Sequence, residues 1–222
     1  MLPERSPDNL IWIDLEFTNL DPATSFIMQA AMIVTTADLV PIPPPGVPPE
    51  VGGLLFDVHL DAAQAATASE WVRENQAEQL ARSQSAEALP VGQVQELFVA
   101  YLLATCEVPE DKRSRPLLCG NSVHGDHRFI ARHMPRLEDL LSFRLMDVTS
   151  FKELARRWVP QWEFKKTDGT IKTWYPGPIG LEGGAHDALY DIKGSIAELN
   201  FYRQHLFVPE ARPKAAPERP TS

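Results

Sequence analysis

Two carboxylates, Asp14 and Glu16, interrupt an otherwise apolar run, Leu10-Ile-Trp-Ile-Asp-Leu-Glu-Phe17, rich in β-branched and aromatic side chains. The run reads as a buried strand. Residues two apart on a strand share a face, with Cα atoms about 7 Å apart. Two acids on one face of a core strand repel each other and resist desolvation, so they need a compensating charge. A hard divalent cation such as Mg²⁺ or Mn²⁺ supplies it by taking carboxylate oxygens. On this stretch alone, an edge strand with a solvated polar face fits equally well.

Three further groups stand where elements begin. Asp126 lies at a strand-to-helix turn, Asp191 in the first turns of the last helix, and His186 five residues before Asp191 in a Gly-rich stretch. Singly, an Asp near a helix start complements the helix dipole, and a loop His is more often solvated than catalytic. Together with Asp14 and Glu16 they make four carboxylates and one imidazole. Four carboxylates could share two divalent cations about 3.5–4 Å apart, which stabilises the attacking and leaving oxygens of a phosphodiester. An imidazole beside them can take the proton from the attacking water. Gly183 and Gly184 would let His186 swing in when substrate binds.

The elements that must position these groups follow in order. After the first strand, Thr18-Asn-Leu-Asp-Pro22 reads as a turn, and Ile27 to Thr35 as a second strand. Residues 41–50 are Pro-rich, with six prolines between Pro41 and Pro49, and should form a polyproline-like surface loop. Gly53 to Leu60 reads as a third strand, completing an antiparallel meander. One helix runs from about Ser69 and carries Trp71. In the next, Val91, Val94, Leu97, Phe98, Tyr101 and Leu102 recur at helical spacing and should face the core. Residues 111–116 form a charged loop, and Leu117 to Gly120 a short strand before a helix near Asp126. Phe143 to Met146 reads as another strand. Ser150 to Glu153 fits a capping box for a helix with an apolar stripe of Phe151, Leu154, Ala155 and Trp158. Lys165 to Gly184 reads as a long loop. Leu189, Ile192, Ile196 and Leu199 mark a long amphipathic helix beginning near His186. A meander followed by helices alternating with short strands indicates an α/β domain with a mixed central sheet.

The 222 residues fit one domain, and 44% hydrophobic content suffices for a core. No stretch approaches the roughly 20 unbroken apolar residues of a membrane span. The N-terminus shows neither a signal-peptide core nor an amphipathic leader. A cytoplasmic protein is therefore expected, a trimmed leader leaving a mitochondrial location open. Cys106 and Cys119 show no metal spacing and no disulfide framework. A net charge of −9 excludes electrostatic binding of long nucleic acid, while leaving room for a short anionic substrate held by bound metal.

Four blocks occur in the order found in oligoribonucleases. They are Asp-Leu-Glu-Phe-Thr-Asn-Leu-Asp-Pro from Asp14, Cys-Gly-Asn-Ser-x-x-x-Asp-x-Arg-Phe from Cys119, Asp-Val-Thr-Ser-Phe-Lys-Glu-Leu-Ala-Arg-Arg-Trp from Asp147, and His-x-Ala-x-x-Asp-Ile from His186. Over about Asn9 to His205 the chain resembles that family, within the DEDDh 3′→5′ exonucleases. The resemblance implies a ribonuclease H-like α/β fold, a mixed five-stranded sheet flanked by helices. It implies an exonuclease domain over residues 1–206 with 41–50 as an insertion, and a disordered tail over 207–222. The expected activity is 3′→5′ exoribonuclease cleavage of short single-stranded RNA, chiefly dinucleotides, with two divalent cations, Mg²⁺ or Mn²⁺, by a homodimer.

Carried over by position, the metal ligands would be Asp14, Glu16, Asp126 and Asp191, with His186 as general base. Leu20 would wedge between two bases and Trp71 would stack on one. Ser122, Arg144 and Thr149 would cap the 5′ phosphate, Thr149 replacing a usual Ser. Asn19 stands where the family has Gly, Gln76 where a cap His is expected, and Gln29 where a Glu is usual.

Three other readings compete. A general DEDDh exonuclease of longer RNA or DNA has the same acids. A non-catalytic RNA-binding module would have lost a metal ligand, and none is lost. A zinc protein built on Cys119, His124, His127 and His133 lacks any framing motif.

Overall fold

Nine consecutive buried residues, Ile27–Thr35, form a strand covered on both faces, and that strand lies beside the acid-bearing run. The structure, a computed structural model, describes residues 5–180 and 187–207. Its first elements are β1 (Leu10–Phe17), β2 (Ile27–Thr35), β3 (Pro41–Ile42), β4 (Leu54–Asp57), α1 (Ala62–Ala65), α2 (Glu70–Asn75), α3 (Ala77–Arg82) and α4 (Val91–Thr105). They are followed by β5 (Leu117–Gly120), α5 (His124–His133), α6 (Pro135–Glu138), β6 (Leu145–Asp147), α7 (Val148–Trp158), α8 (Asp168–Trp174) and α9 (Ala188–Leu206).

The sheet runs β3-β2-β1-β5-β6, and β4 shares the outer edge of β2 with β3. β1 is antiparallel to β2 and parallel to β5, and β5 is parallel to β6. Alternation along β1 assigns each face its layer. Ile11, Ile13 and Leu15 pack with Val94, Phe98 and Leu102 of α4 and Phe129 and Ile130 of α5. Leu10 and Trp12 face the opposite way, toward Ile192, Ile196 and Leu199 of α9 and Ile171 of α8. Asp14 and Glu16 continue that second face, so the acids emerge where α9 begins.

The mixed α/β sheet flanked by helices is the expected architecture, with six strands rather than five. The extra strand is β3, inside the Pro-rich stretch. Pro41 pairs with Thr35 and Ile42 with Val34 at the sheet edge, where a missing N–H is tolerated. Tyr101 of α4 fixes it there by accepting from Val34 N at 3.0 Å and donating to Ile42 O.

Five other local expectations change. α7 begins at Val148 with Asp147 as N-cap, accepting from Thr149 N, so Ser150 to Glu153 is not its capping box. On α7 Ala155 is buried, whereas Leu154 is 40% and Trp158 73% exposed. The span expected as one long loop contains α8, whose N-cap Thr167 accepts from Thr170 N. α9 is not amphipathic: Ile192, Lys193, Ser195, Glu198 and Tyr202 are all buried, because α8, α7 and the sheet surround it. Leu97 points partly to solvent while Val94, Phe98, Tyr101 and Leu102 fill the core. The expected tail beyond Phe207 lies outside the described residues.

Candidate active site

Asp14 and Glu16 leave β1 on the α9 face, and Asp191 descends from the first turn of α9 to meet them. One carboxylate oxygen from each of the three lies within 4.8 Å of the others. Among the described residues, this is the one group of three or more acidic, His or Cys side chains so arranged. Burial, followed by the charges of Asp126, Asp191 and Glu16, holds the Asp14 carboxyl well above the usual carboxylate range. Burial likewise pushes Glu16 up to about 7, against the opposing hydrogen bond from Gln76. Oxygen-only donors, crowded and short of positive charge, fit a hard divalent cation.

Asp126 stands beside the group rather than within it. It is buried on α5, and its Oδ1 accepts from Leu15 N at 3.0 Å. Burial raises its pKa to about 8, with the charges of Glu16 and Asp147 adding to the effect. His186 lies outside the described residues. Its neighbour Asp187 caps α9 by accepting from Tyr190 N at 3.2 Å, fixing the helix that carries Asp191.

Three side chains hold these acids in place, and of them the sequence singles out Gln29 and Gln76 but not Lys166. Gln29 is opposite Glu16 across β1 and β2. Its amide donates to Asp57 Oδ1 at 3.1 Å and accepts from Ala188 N at 3.1 Å, joining the first turn of α9 to the sheet. Gln76, expected in place of a cap His, is buried between α2 and α3, and its amide donates to Glu16 Oε2. Lys166 pairs with Asp191 Oδ1. A carboxamide opposite an acid could have signalled Gln29 once the strand register was known; nothing in spacing alone points to Lys166.

Leu20 is 80% exposed and Trp71 50%, which rules out core packing for both. They line a cavity of about 330 Å³ together with Glu16, Asn19 and Gln76. This volume lies within the range of small-ligand pockets, and Glu16 belongs to both the cavity and the acid cluster.

Ser122 and Thr149 also meet. Their hydroxyls lie 3.2 Å apart, and Ser122 N donates to Thr149 Oγ1 and Asp147 Oδ1, each at 2.9 Å. Ser122 has φ +50°, a left-handed conformation unusual for a residue with a β-carbon, two residues beyond the end of β5. Arg144 is not brought to them. It precedes β6 at the opposite end of the strand, its guanidinium carbon 5.6 Å from the Phe143 ring centroid, and lines a separate cavity with Arg113 and Arg115. The cysteine and histidines of the zinc alternative go separate ways. Cys119 is buried in the sheet, His124 Nδ1 lies 3.7 Å from Asp147, His127 Nε2 3.9 Å from Glu138, and His133 Nε2 3.1 Å from Ser25 O.

Residues 11–199 match the RNase_T family model, described as exonuclease. The oligoribonuclease of Pseudomonas syringae pv. tomato is 36% identical over 206 residues, covering 92% of this chain and 99% of the relative. That of Aliivibrio fischeri is 37% identical over 201 residues, covering 90% of this chain and 96% of its own. That of Pseudomonas aeruginosa is 37% identical over 205 residues, covering 91% and 98%. Among solved structures, the zinc-bound Escherichia coli ExoI–single-stranded DNA complex is similar with a TM-score of 0.59 at 15% identity. The match takes in 91% of this chain and 41% of that one, so the chain spans about two-fifths of its length. Cell-death related nuclease 4 gives a TM-score of 0.58 at 16% identity, over 90% of this chain and 65% of that one. At these identities the two structures speak for the fold.

Proposed function

This chain belongs to the oligoribonuclease family of RNase_T exonucleases, and from that footing we propose how its site cleaves short RNA. It is a 3′→5′ exoribonuclease of short oligoribonucleotides, here read as acting chiefly on dinucleotides and releasing nucleoside 5′-monophosphates. The observation that carries this reading is the convergence of Asp14, Glu16 and Asp191 beside a cavity walled by Leu20 and Trp71.

Asp14, Glu16 and Asp191 would hold divalent cation, with Asp126 supplying the fourth carboxylate. Two cations, Mg²⁺ or Mn²⁺, would supply the counter-charge for the scissile phosphate and its leaving oxygen. His186 would take a proton from the attacking water. Leu20 and Trp71 would hold the two bases by wedging and stacking, placing the phosphodiester against the acids. Ser122 and Thr149 would close over the 5′ phosphate with their hydroxyls. Arg144 would join them only by leaving the Phe143 ring. Residues 1–206 are read as the exonuclease domain, and a cytoplasmic homodimer as its working form.

The test is incubation of the full-length protein with a 5′-labelled heptaribonucleotide in Mg²⁺, Mn²⁺ or EDTA. The expected result is a ladder shortening from the 3′ end with either cation and intact RNA in EDTA. Shortening that persists undiminished in EDTA, or intact RNA with both cations, would overturn this reading.

A further inference from the structure

The acid cluster carries a cation of its own, delivered by the segment between α7 and α9. That segment is fastened down: Tyr190 OH donates to Asp168 Oδ1 at 2.6 Å, and Asn200 Nδ2 to Trp174 O at 2.7 Å. The Trp174 and Phe201 rings meet edge-on, with centroids 5.2 Å apart. Just before α8, Lys166 turns back onto α9. Its Nζ donates to Asp191 Oδ1 and lies 6.0 Å from the Tyr190 ring centroid.

The stem of Lys166 crosses α9 at Gly194, where an added β-carbon would collide with Lys166 Cε. Glycine inside a helix is unfavourable, and here it leaves the gap that the lysine occupies. Tyr190, Asp191 and Gly194 thus give one side chain a ring, a carboxylate and a slot. The Lys166 charge also acts on Asp14 and Glu16, favouring their ionised forms.

One ammonium group offsets a single negative charge among several, and it takes an Asp191 oxygen that a divalent ion would use. We propose that Lys166 is a built-in counter-ion that competes with divalent cation for Asp191, and so sets the cation concentration the enzyme requires. The inference rests on reading the cluster as a cation site. It assigns Lys166 a positioning role, holding Asp191 in place until cation displaces it.

The test is calorimetric titration of Mn²⁺ into full-length wild type, Lys166→Met and Lys166→Arg, without substrate. Methionine keeps an unbranched stem over Gly194 and Tyr190 while removing the charge. The dissociation constant of Lys166→Met should fall about three- to tenfold, as befits loss of a partly exposed pair. Lys166→Arg should stay within about twofold of wild type, because it keeps the charge. A constant that is unchanged or larger in Lys166→Met would overturn the competition. If wild type and Lys166→Met both fail to take up Mn²⁺, the cation reading of the cluster fails, and this inference falls with it.

Discussion

The backbone amide of Leu15 donates to Asp126 Oδ1 at 3.0 Å, so the residue between Asp14 and Glu16 on β1 is bonded directly to the acid on α5. Asp126 therefore holds β1 and α5 together as well as supplying charge. Asp126→Asn keeps an acceptor for Leu15 N, whereas Asp126→Ala leaves that buried donor unsatisfied, at a cost of about 1–3 kcal/mol. Both variants should lose activity. In EDTA, Asp126→Ala should melt below Asp126→Asn, by about 2–4 °C per kcal/mol of the lost bond. Equal melting temperatures for the two would show that the bond contributes little.

The metal-free protein should lose stability as pH rises. In the folded state Glu16 titrates near 7 and Asp126 near 8, whereas unfolded carboxylates titrate near 4. Between those values the folded protein keeps protons that the unfolded chain has released, so rising pH favours unfolding. Glu16→Gln removes one of these groups. In EDTA its advantage over wild type should be absent near pH 4 and grow toward pH 8, to on the order of 1–3 kcal/mol. An advantage that shrinks with rising pH would contradict the assigned burial of Glu16. Melting curves at four pH values give the answer.

Leu20 and Trp71 are exposed, so truncating them should spare the fold. Leu20→Ala and Trp71→Ala should each change stability by less than about 0.5 kcal/mol. Binding of a dinucleotide should weaken by about 1–3 kcal/mol for the loss of the Trp71 stack. A large drop in melting temperature with unchanged binding would make Trp71 a structural residue.

The acids were legible because their spacing fixes their face whatever the rest of the chain does. Asp14 and Glu16, two apart in a strand, must project together, and Asp126 and Asp191 stand at helix starts that local signals mark. The neighbours that hold them were not legible. Gln29 matters because it lies across from Glu16 and beneath Ala188, 159 positions away in sequence. Gln76 stands in the sequence where a cap His is expected, and only the structure shows its amide donating to Glu16. α8 was hidden by the surrounding Gly and Pro, which signal a loop even though Thr167 offers a cap. In sequence the polar residues of α9 look solvated, which gives that helix an amphipathic pattern. In the fold, Glu198 accepts from Asn121 at 3.1 Å and Lys193 donates to Gly180 O at 2.6 Å, so both are buried with partners.

Gln29 joins the sheet to the helix that carries Asp191, so its loss should be felt at a distance. Gln29→Leu fits the volume but strands Ala188 N and one hydrogen-bonding position of Asp57. The expected cost is about 1–3 kcal/mol of stability, together with weaker Mn²⁺ binding as Asp191 loses its support. Calorimetric Mn²⁺ binding equal to wild type would show that Asp187 alone suffices to place α9.

A closed pocket, rather than a basic track, should set the length of RNA this acidic protein prefers, since a net charge of −9 offers little hold on further phosphates. The direct measurement is kcat/KM of the full-length enzyme on 5′-phosphorylated RNAs of two to seven nucleotides in saturating Mn²⁺. The value should be highest for the dinucleotide, and Ser122→Ala should lower it for the dinucleotide far more than for the heptanucleotide. A kcat/KM that climbs steadily with length, with Ser122→Ala affecting every length alike, would contradict a pocket closed by Ser122 and Thr149 and mark a general exonuclease.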